Sequence, residues 1–338
     1  MERRQFLKIG GLSSLALFSG IPFSSHARSD FKIKKIRYYA APGYNKPLFN
    51  QARGIVEIET DSGLIGIGEG GTPDMVRQCA EMLIGEDPFR IEHLWQYLYR
   101  GMFYPPGREK LHGVGAIEMA LWDLKGKALN VPVYELLGGK TRNYVECYAT
   151  GFRKSKASTM EGQAQDCLEA GLRCYRIGPT GGNGATPFDF YENSKKTIET
   201  CHRLDKAVGG NGNWAIDLHT RFDTTEAIRI CDTLEELEPY FVEDIIRSEN
   251  PEVYKTIRNM TKVPIAVGEQ FGDRWDSNVL MENHLIDYSR VTLPNTGGIS
   301  ELKKIIAIGE THYVGIIPDH CLRPHWYMYW DPPVLPGA

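Results

Sequence analysis

The sequence predicts an α/β protein in which a small α+β domain precedes a barrel of parallel strands. The barrel is predicted by short apolar runs that alternate with helical segments from residue 144 onward. Three of these runs end in an acidic residue, Asp217, Glu243 and Glu269, and 26 residues separate each acid from the next. Apolar runs of about four to eight residues are typical of strands buried on both faces of a sheet. An interval of 26 residues accommodates a strand, a helix and two turns.

The three acidic residues predict a metal site. If their strands are parallel and in register, the carboxylates lie at the C-terminal end of the barrel, where barrel enzymes build their active sites. Like charges gathered there repel unless a cation holds them, and hard oxygen ligands suit Mg²⁺. The alternative is that each carboxylate caps the helix after its strand. Asp is a common N-cap but Glu is not, and two of the three acids are Glu, so we favour magnesium.

Composition excludes some classes of protein. The chain has 338 residues, 42% of them hydrophobic, and a net charge of −4, with no basic stripe that would indicate a nucleic-acid partner. The seven cysteines are scattered without a CxxC pair, which is typical of buried thiols rather than of a disulfide framework.

The N-terminus predicts export. Residues 3–8 read RRQFLK, residues 9–21 are a short apolar stretch, and residues 25–27 read SHA, a small-x-small cleavage site. This order resembles a twin-arginine signal peptide over residues 1–27, which implies a periplasmic protein with no membrane contact after cleavage. An uncleaved membrane anchor is the alternative.

Residues 28–140 are predicted to form the α+β domain. Strands are expected at 33–39, 54–60 and 64–68, and helices at 74–84, 88–100 and 116–129. Gly66, Gly68 and Gly71 satisfy GxGxxG, but a tight hairpin precedes them, so we reject a dinucleotide site. Residues 141–338 are predicted to form the barrel, with seven strands near residues 145–149, 173–178, 214–218, 240–243, 264–268, 288–292 and 314–318.

The helix at 116–129, the VPVYELLGG segment at 131–139 and the three acids together resemble the enolase superfamily, in its mandelate racemase/muconate lactonizing enzyme-like branch. The resemblance covers roughly residues 30 to 338. It implies an N-terminal capping domain over a modified TIM-type (β/α)7β barrel. Asp217, Glu243 and Glu269 then correspond to the metal ligands, and a base removes the proton α to a substrate carboxylate while magnesium stabilises the enediolate. Relatives continue through an eighth strand, which we expect this chain to lack.

The basic residues indicate the subfamily. Arg176 and Gly178 replace a Lys-x-Lys pair, which disfavours a two-base racemase because arginine stays protonated. His219 forms an Asp-x-His motif with Asp217 that resembles acid-sugar dehydratases, where this histidine protonates the departing 3-hydroxyl. His320 resembles the base of galactonate dehydratase-like enzymes, whose partner aspartate is replaced here by Thr292.

These residues predict a Mg²⁺-dependent dehydratase of sugar acids, with His320 as base, His219 as acid and Arg176 as an electrostatic contact to the substrate. Two alternatives stay open: a racemase, epimerase or cycloisomerase of the same superfamily, and a truncated non-catalytic homologue. Substrate specificity is expected in loops 41–46 and 104–108, and a homo-oligomer is expected.

Overall fold

The computed structural model describes residues 31–40, 54–101, 103–152, 154–181 and 188–319. The signal segment 1–27, loop 41–46, His320 and the C-terminal residues to 338 lie outside the described residues. The predicted lack of an eighth strand therefore stays a prediction. Within the described ranges, no helix combines the length and apolar character needed to cross a membrane.

The small domain is an antiparallel three-stranded meander covered by helices, as predicted. The strands run in the order β1-β2-β3, and β2 alternates buried and half-buried residues because one face packs on the helices. Its elements are β1 (Ile33–Ala40), β2 (Gly54–Thr60), β3 (Ile65–Glu69), α1 (Pro73–Glu81), α2 (Ile91–Arg100), α3 (Gly107–Leu129) and α4 (Val133–Leu136).

The glycines of the GxGxxG segment let helix α3 approach the sheet. A Cβ atom on Gly66 would lie 2.1 Å from the backbone oxygen of Ala120, and one on Gly68 would lie 2.0 Å from that of Ala116. Both glycines lie in β3, which pairs antiparallel with β2. The glycines therefore serve packing between strand and helix, which agrees with the meander predicted from the sequence.

Helix α3 begins earlier than the sequence predicted. It starts at Gly107, so Arg108 lies in its first turn. The Arg108 guanidinium donates to Asp276 Oδ2 at 2.8 Å and to Ser248 Oγ at 2.6 Å, both in the larger domain. Arg108 therefore fastens the two domains together.

The larger domain is a curled parallel sheet with helices packed outside it, which confirms the predicted α/β fold. Seven strands occur among the described residues, in the order β10-β9-β8-β7-β6-β5-β4, and form a half-barrel. Its elements are β4 (Ala149–Thr150), α5 (Met160–Glu169), β5 (Tyr175–Ile177), α6 (Phe190–Val208), β6 (Trp214–Asp217), α7 (Thr224–Leu234), a 3₁₀ turn (Glu235–Leu237), β7 (Val242–Glu243), α8 (Val253–Met260), β8 (Ile265–Val267), α9 (Arg274–Glu282), β9 (Tyr288–Ser289), α10 (Ile299–Thr311) and β10 (Gly315–Ile316).

A buried carboxylate joins the two domains. Glu118 on α3 accepts hydrogen bonds from the backbone N–H groups of Ile299 at 2.8 Å and Ser300 at 2.9 Å. These groups open helix α10, where backbone donors lack partners within the helix. Trp122 Nε1 donates to the same carboxylate at 2.6 Å. The capping domain is thus attached to the helix that precedes the last described strand, which fixes its position against the half-barrel.

Candidate active site

Two of the predicted metal ligands end neighbouring strands in register. Asp217 is the last residue of β6, Glu243 is the last residue of β7, and the two are paired across the sheet. Both side chains are fully buried. Glu269 follows the end of β8 by two residues. The sequence therefore placed these acids on the correct edge of the sheet, because parallel strands present their C-terminal ends together.

The acid that joins this pair most closely is Asp244. Oxygen atoms of Asp217, Glu243 and Asp244 all lie within 4.8 Å of one another. In a continuing strand, Asp244 would point to the face opposite Glu243. Asp244 instead has a φ of +44°, a left-handed conformation that ends the strand and turns its carboxylate toward those of Asp217 and Glu243. Asp244 was not among the ligands predicted from the sequence, although its place next to Glu243 was a signal that could have found it.

The cluster suits a hard cation. Its donors are all carboxylate oxygens, and Asp244 Oδ2 is buried with no hydrogen-bond partner among the described residues. Burial, with the charge of Asp217 added, raises the pKa of Glu243 well above its usual value. Burial and the charge of Glu269 do the same for the pKa of Asp244. A divalent cation would relieve this repulsion, so the residues present fit Mg²⁺.

Arg176 lies against the two strand-end acids. Its Nη1 atom contacts both Asp217 Oδ2 and Glu243 Oε2, the latter at 2.6 Å. Its Nε atom donates to Thr150 Oγ1 at 2.8 Å. Burial opposes ionisation of Asp217, but hydrogen bonding to His219 and the charge of Arg176 outweigh it, so the pKa of Asp217 is lowered. Arg176 therefore acts as an internal counter-ion of the predicted metal ligands.

A second arginine, which the sequence analysis did not single out, links the remaining acids. The Arg290 side chain is 2% exposed, and its Nη1 atom contacts Glu243 Oε1 and lies 3.3 Å from Glu269 Oε2. Its Nη2 atom lies 2.8 Å from Asp319 Oδ1, and Nε donates to Tyr148 OH at 2.7 Å. The positively charged guanidinium of Arg290 thus contacts both Glu243 and Glu269. Arg290 is not part of a sequence motif, so the sequence offers no pattern from which this contact could be predicted.

His219 contacts Asp217, the first residue of the Asp-x-His motif, through a turn that follows strand β6. Strand β6 ends at Asp217, so strand alternation does not align the two side chains. His219 has a φ of +47°, and its backbone N–H donates to Asp217 Oδ1 at 2.7 Å. Its Nε2 atom lies 2.8 Å from Asp217 Oδ2, and the side chain is 47% exposed. The imidazole is therefore tethered to a buried acid and open to solvent.

Asp319 contacts Thr292, the residue that the resemblance places where an aspartate partner of His320 was expected. The two residues form a parallel bridge, and Thr292 Oγ1 donates to Asp319 Oδ2 at 3.3 Å. The other oxygen of Asp319 pairs with Arg290. His320 lies outside the described residues, so its role as base stays a prediction.

Together, the capped half-barrel and its acidic strand ends define a two-domain barrel enzyme with a carboxylate site for a cation. Residues 48–138 match the mandelate racemase/muconate lactonizing enzyme N-terminal domain, and residues 159–327 match the enolase C-terminal domain-like family. The chain belongs to the enolase superfamily, in its mandelate racemase/muconate lactonizing enzyme branch. Members of this superfamily bind Mg²⁺.

Several relatives are dehydratases. The chain is 34% identical to a D-mannonate dehydratase of Sphingomonas sp. (strain SKA58) over 291 residues, covering 77% of this chain and 72% of the relative. It is 32% identical to a D-galactonate dehydratase of Pectobacterium atrosepticum over 276 residues, covering 79% of this chain and 70% of the relative. Dehydratases are hydro-lyases, so the prediction of a carbon–oxygen lyase of this superfamily is confirmed.

The fold also matches solved structures. One is an enolase from Pantoea ananatis with bound D-gluconate and Mg, at a TM-score of 0.71 and 27% identity, covering 86% of this chain and 78% of that chain. That structure contains a sugar acid and the predicted metal together. The likeness confirms the two-domain fold, while the boundary at residues 140–141 stays a prediction.

Proposed function

We propose that the protein is a Mg²⁺-dependent dehydratase that acts on a 2,3-dihydroxy sugar acid. The proposal rests on one observation: a histidine is hydrogen-bonded to a buried acidic cluster at the C-terminal end of the half-barrel. The names of the mannonate and galactonate dehydratase relatives support the substrate class. In the reaction, the C2–H and C3–O bonds break, water leaves, and the resulting enol tautomerises to a 2-keto-3-deoxy acid.

Asp217 and Glu243 would hold the cation, with Asp244 and Glu269 as the further acids within the site. When bound, Mg²⁺ would supply positive charge that offsets the negative charge developing on the substrate carboxylate as the α-proton leaves. The fold shields Asp217 and Glu243 from solvent and fixes their positions, because both are fully buried at paired strand ends. Such fixed ligands lower the cost of ordering the site when the cation binds.

His219 would donate the proton to the departing 3-hydroxyl. Its Nε2 atom is engaged with Asp217 Oδ2, which leaves Nδ1 to carry a proton toward the substrate. The half-exposed ring can reach a bound molecule at the open end of the barrel. His320 would remove the α-proton, as its resemblance to the dehydratase base implies, and Arg176 would contact the anionic substrate.

Isotope exchange tests the assignment of both histidines. With Mg²⁺ and a panel of aldonic acids in deuterated water, the unmodified enzyme should form keto-acid product and exchange the α-proton. His320→Asn should abolish exchange and product together. His219→Asn should lower product while exchange persists, because proton removal does not need the leaving-group acid. His202→Asn, on the exposed face of helix α6, is a matched control that should behave like the unmodified enzyme.

Two outcomes would contradict this function. Epimerisation of an acid without loss of water would indicate the racemase or epimerase alternative. Absence of exchange with every acid, in protein that binds Mg²⁺, would indicate a non-catalytic homologue.

We also propose that the chain is exported by the twin-arginine route and acts in the periplasm as a homo-oligomer. The RRQFLK segment at residues 3–8 and the SHA site at 25–27 support export. Replacing Arg3 and Arg4 with lysine should trap the full chain in the cytoplasm, as measured by cell fractionation. Sedimentation of the mature protein would test the oligomer.

A further inference from the structure

We propose that Arg176 is a displaceable internal cation: the metal must remove its guanidinium from Asp217 and Glu243, so Arg176 sets the metal affinity of the site. The proposal rests on the metal dependence of the proposed function. It assigns to Arg176 a role distinct from contact with the substrate alone. Three observations support it.

The first observation is the position of Arg176 Nη1. This atom lies between Asp217 Oδ2 and Glu243 Oε2, the two acids paired in register at the strand ends. His219 already engages both oxygens of Asp217, through its backbone N–H and its ring. A divalent cation bridging the same two acids would need the space and the lone pairs that Nη1 now uses. Metal and guanidinium therefore compete.

The second observation is that the two arginines of the site are held differently. Three acids and Tyr148 surround the guanidinium of Arg290, which is therefore fixed. Among the residues that the structure describes, Arg176 has one polar contact beyond the two acids at the strand ends, with the neutral side chain of Thr150. Thr150 is itself exposed, so this contact is easily exchanged for water. Arg176 is the arginine that can leave.

The third observation is space for the displaced group. Gly178 lies two residues after Arg176, and among the described residues a Cβ atom added there would come within 4 Å only of the ring of His219, at 3.7 Å. The imidazole is itself 47% exposed, and no other atom of the described residues comes within 4 Å of the added Cβ. Once displaced toward the imidazole, the guanidinium can pair with the carboxylate of an anionic substrate. Metal and substrate should then bind cooperatively, each favouring the state in which Arg176 has left the acids.

Calorimetric titration of the full chain with Mg²⁺ alone tests the proposal. Arg176→Gln removes the competing charge, and its Kd for Mg²⁺ should fall by about tenfold or more. Arg176→Lys keeps the charge and should stay near the unmodified protein. Arg274→Gln is a matched control, because Arg274 pairs with the buried Glu301 away from the site, and its Kd should not change. The rise in melting temperature on adding Mg²⁺ should likewise be larger for Arg176→Gln than for the unmodified protein.

Thr150→Val gives a second test in case Arg176→Gln does not fold. It removes only the neutral partner of Arg176 at an exposed position, and the Kd should fall by about threefold. An unchanged or weaker affinity in Arg176→Gln, with Mg²⁺ bound by both proteins, would overturn this proposal and leave the proposed function standing. Absence of Mg²⁺ binding in both proteins would overturn the metal dependence as well.

Discussion

Replacing Glu118 with glutamine should destabilise the protein strongly, because this carboxylate joins the capping domain to the half-barrel. Glu118 is 1% exposed and accepts hydrogen bonds from Trp122 Nε1 and from the two backbone N–H groups that open helix α10. Glutamine keeps one acceptor oxygen and replaces the other with an amide that donates. At least one N–H group of the helix is then left facing a donor in a buried site.

The expected magnitude follows from these contacts. A buried donor left without a partner costs about 1–3 kcal/mol. Loss of negative charge at a helix N-terminus costs about a further 0.3–1 kcal/mol. Glu118→Gln should therefore lower the free energy of unfolding by about 1–4 kcal/mol. Equilibrium unfolding in urea, followed by tryptophan fluorescence, measures this, and Trp122 beside Glu118 reports on the contact directly.

Glu92→Gln is the matched control, since Glu92 also joins the small domain to helix α10, through Lys304. Its side chain is 57% exposed, and exposed ion pairs contribute at most about 1 kcal/mol. If Glu118→Gln costs no more than Glu92→Gln, the buried carboxylate does not hold the domains together, and the reasoning is wrong.

Three further predictions concern the site, the pH dependence and the cap. Glu243→Gln should weaken Mg²⁺ binding in calorimetry. It should also lower the melting temperature of the metal-free protein, because each Glu243 oxygen contacts an arginine. An unchanged or higher melting temperature would contradict this. Burial raises the pKa of Glu69 to about 7 from an ordinary 4.5, so its contribution to stability is complete below pH 4.5 and lost as the pH rises through 7. The melting temperature should fall over that range, and Glu69→Gln should flatten the profile. Gly68→Ala should cost about 2 kcal/mol or more in urea unfolding, because the new Cβ would overlap the backbone oxygen of Ala116; a neutral effect would show that helix α3 can shift away.

The role expected for Glu243 changes between sequence and structure. From the sequence alone, three clustered carboxylates repel, so loss of one charge should leave the fold intact. The structure adds Arg176 and Arg290, whose guanidinium groups reach opposite oxygens of Glu243. Removing one partner of a buried ion pair leaves the other charge uncompensated, which is destabilising. The balance of charge within a site depends on residues distant in sequence, and spacing does not reveal it.

The sequence by itself determined the fold and the edge of the sheet that carries the site. Apolar runs specify buried strands, and equal spacing brings Asp217 and Glu243 to paired strand ends, because both signals are local and repeat along the chain. The tertiary structure decided which other groups complete the cluster. Asp244 enters through a left-handed turn that strand alternation argues against, and Arg290 enters from another strand end. Glu118 became an interdomain contact only when helix α10 packed against it. These features depend on backbone conformation and on contacts between distant segments, which hydrophobic periodicity does not encode.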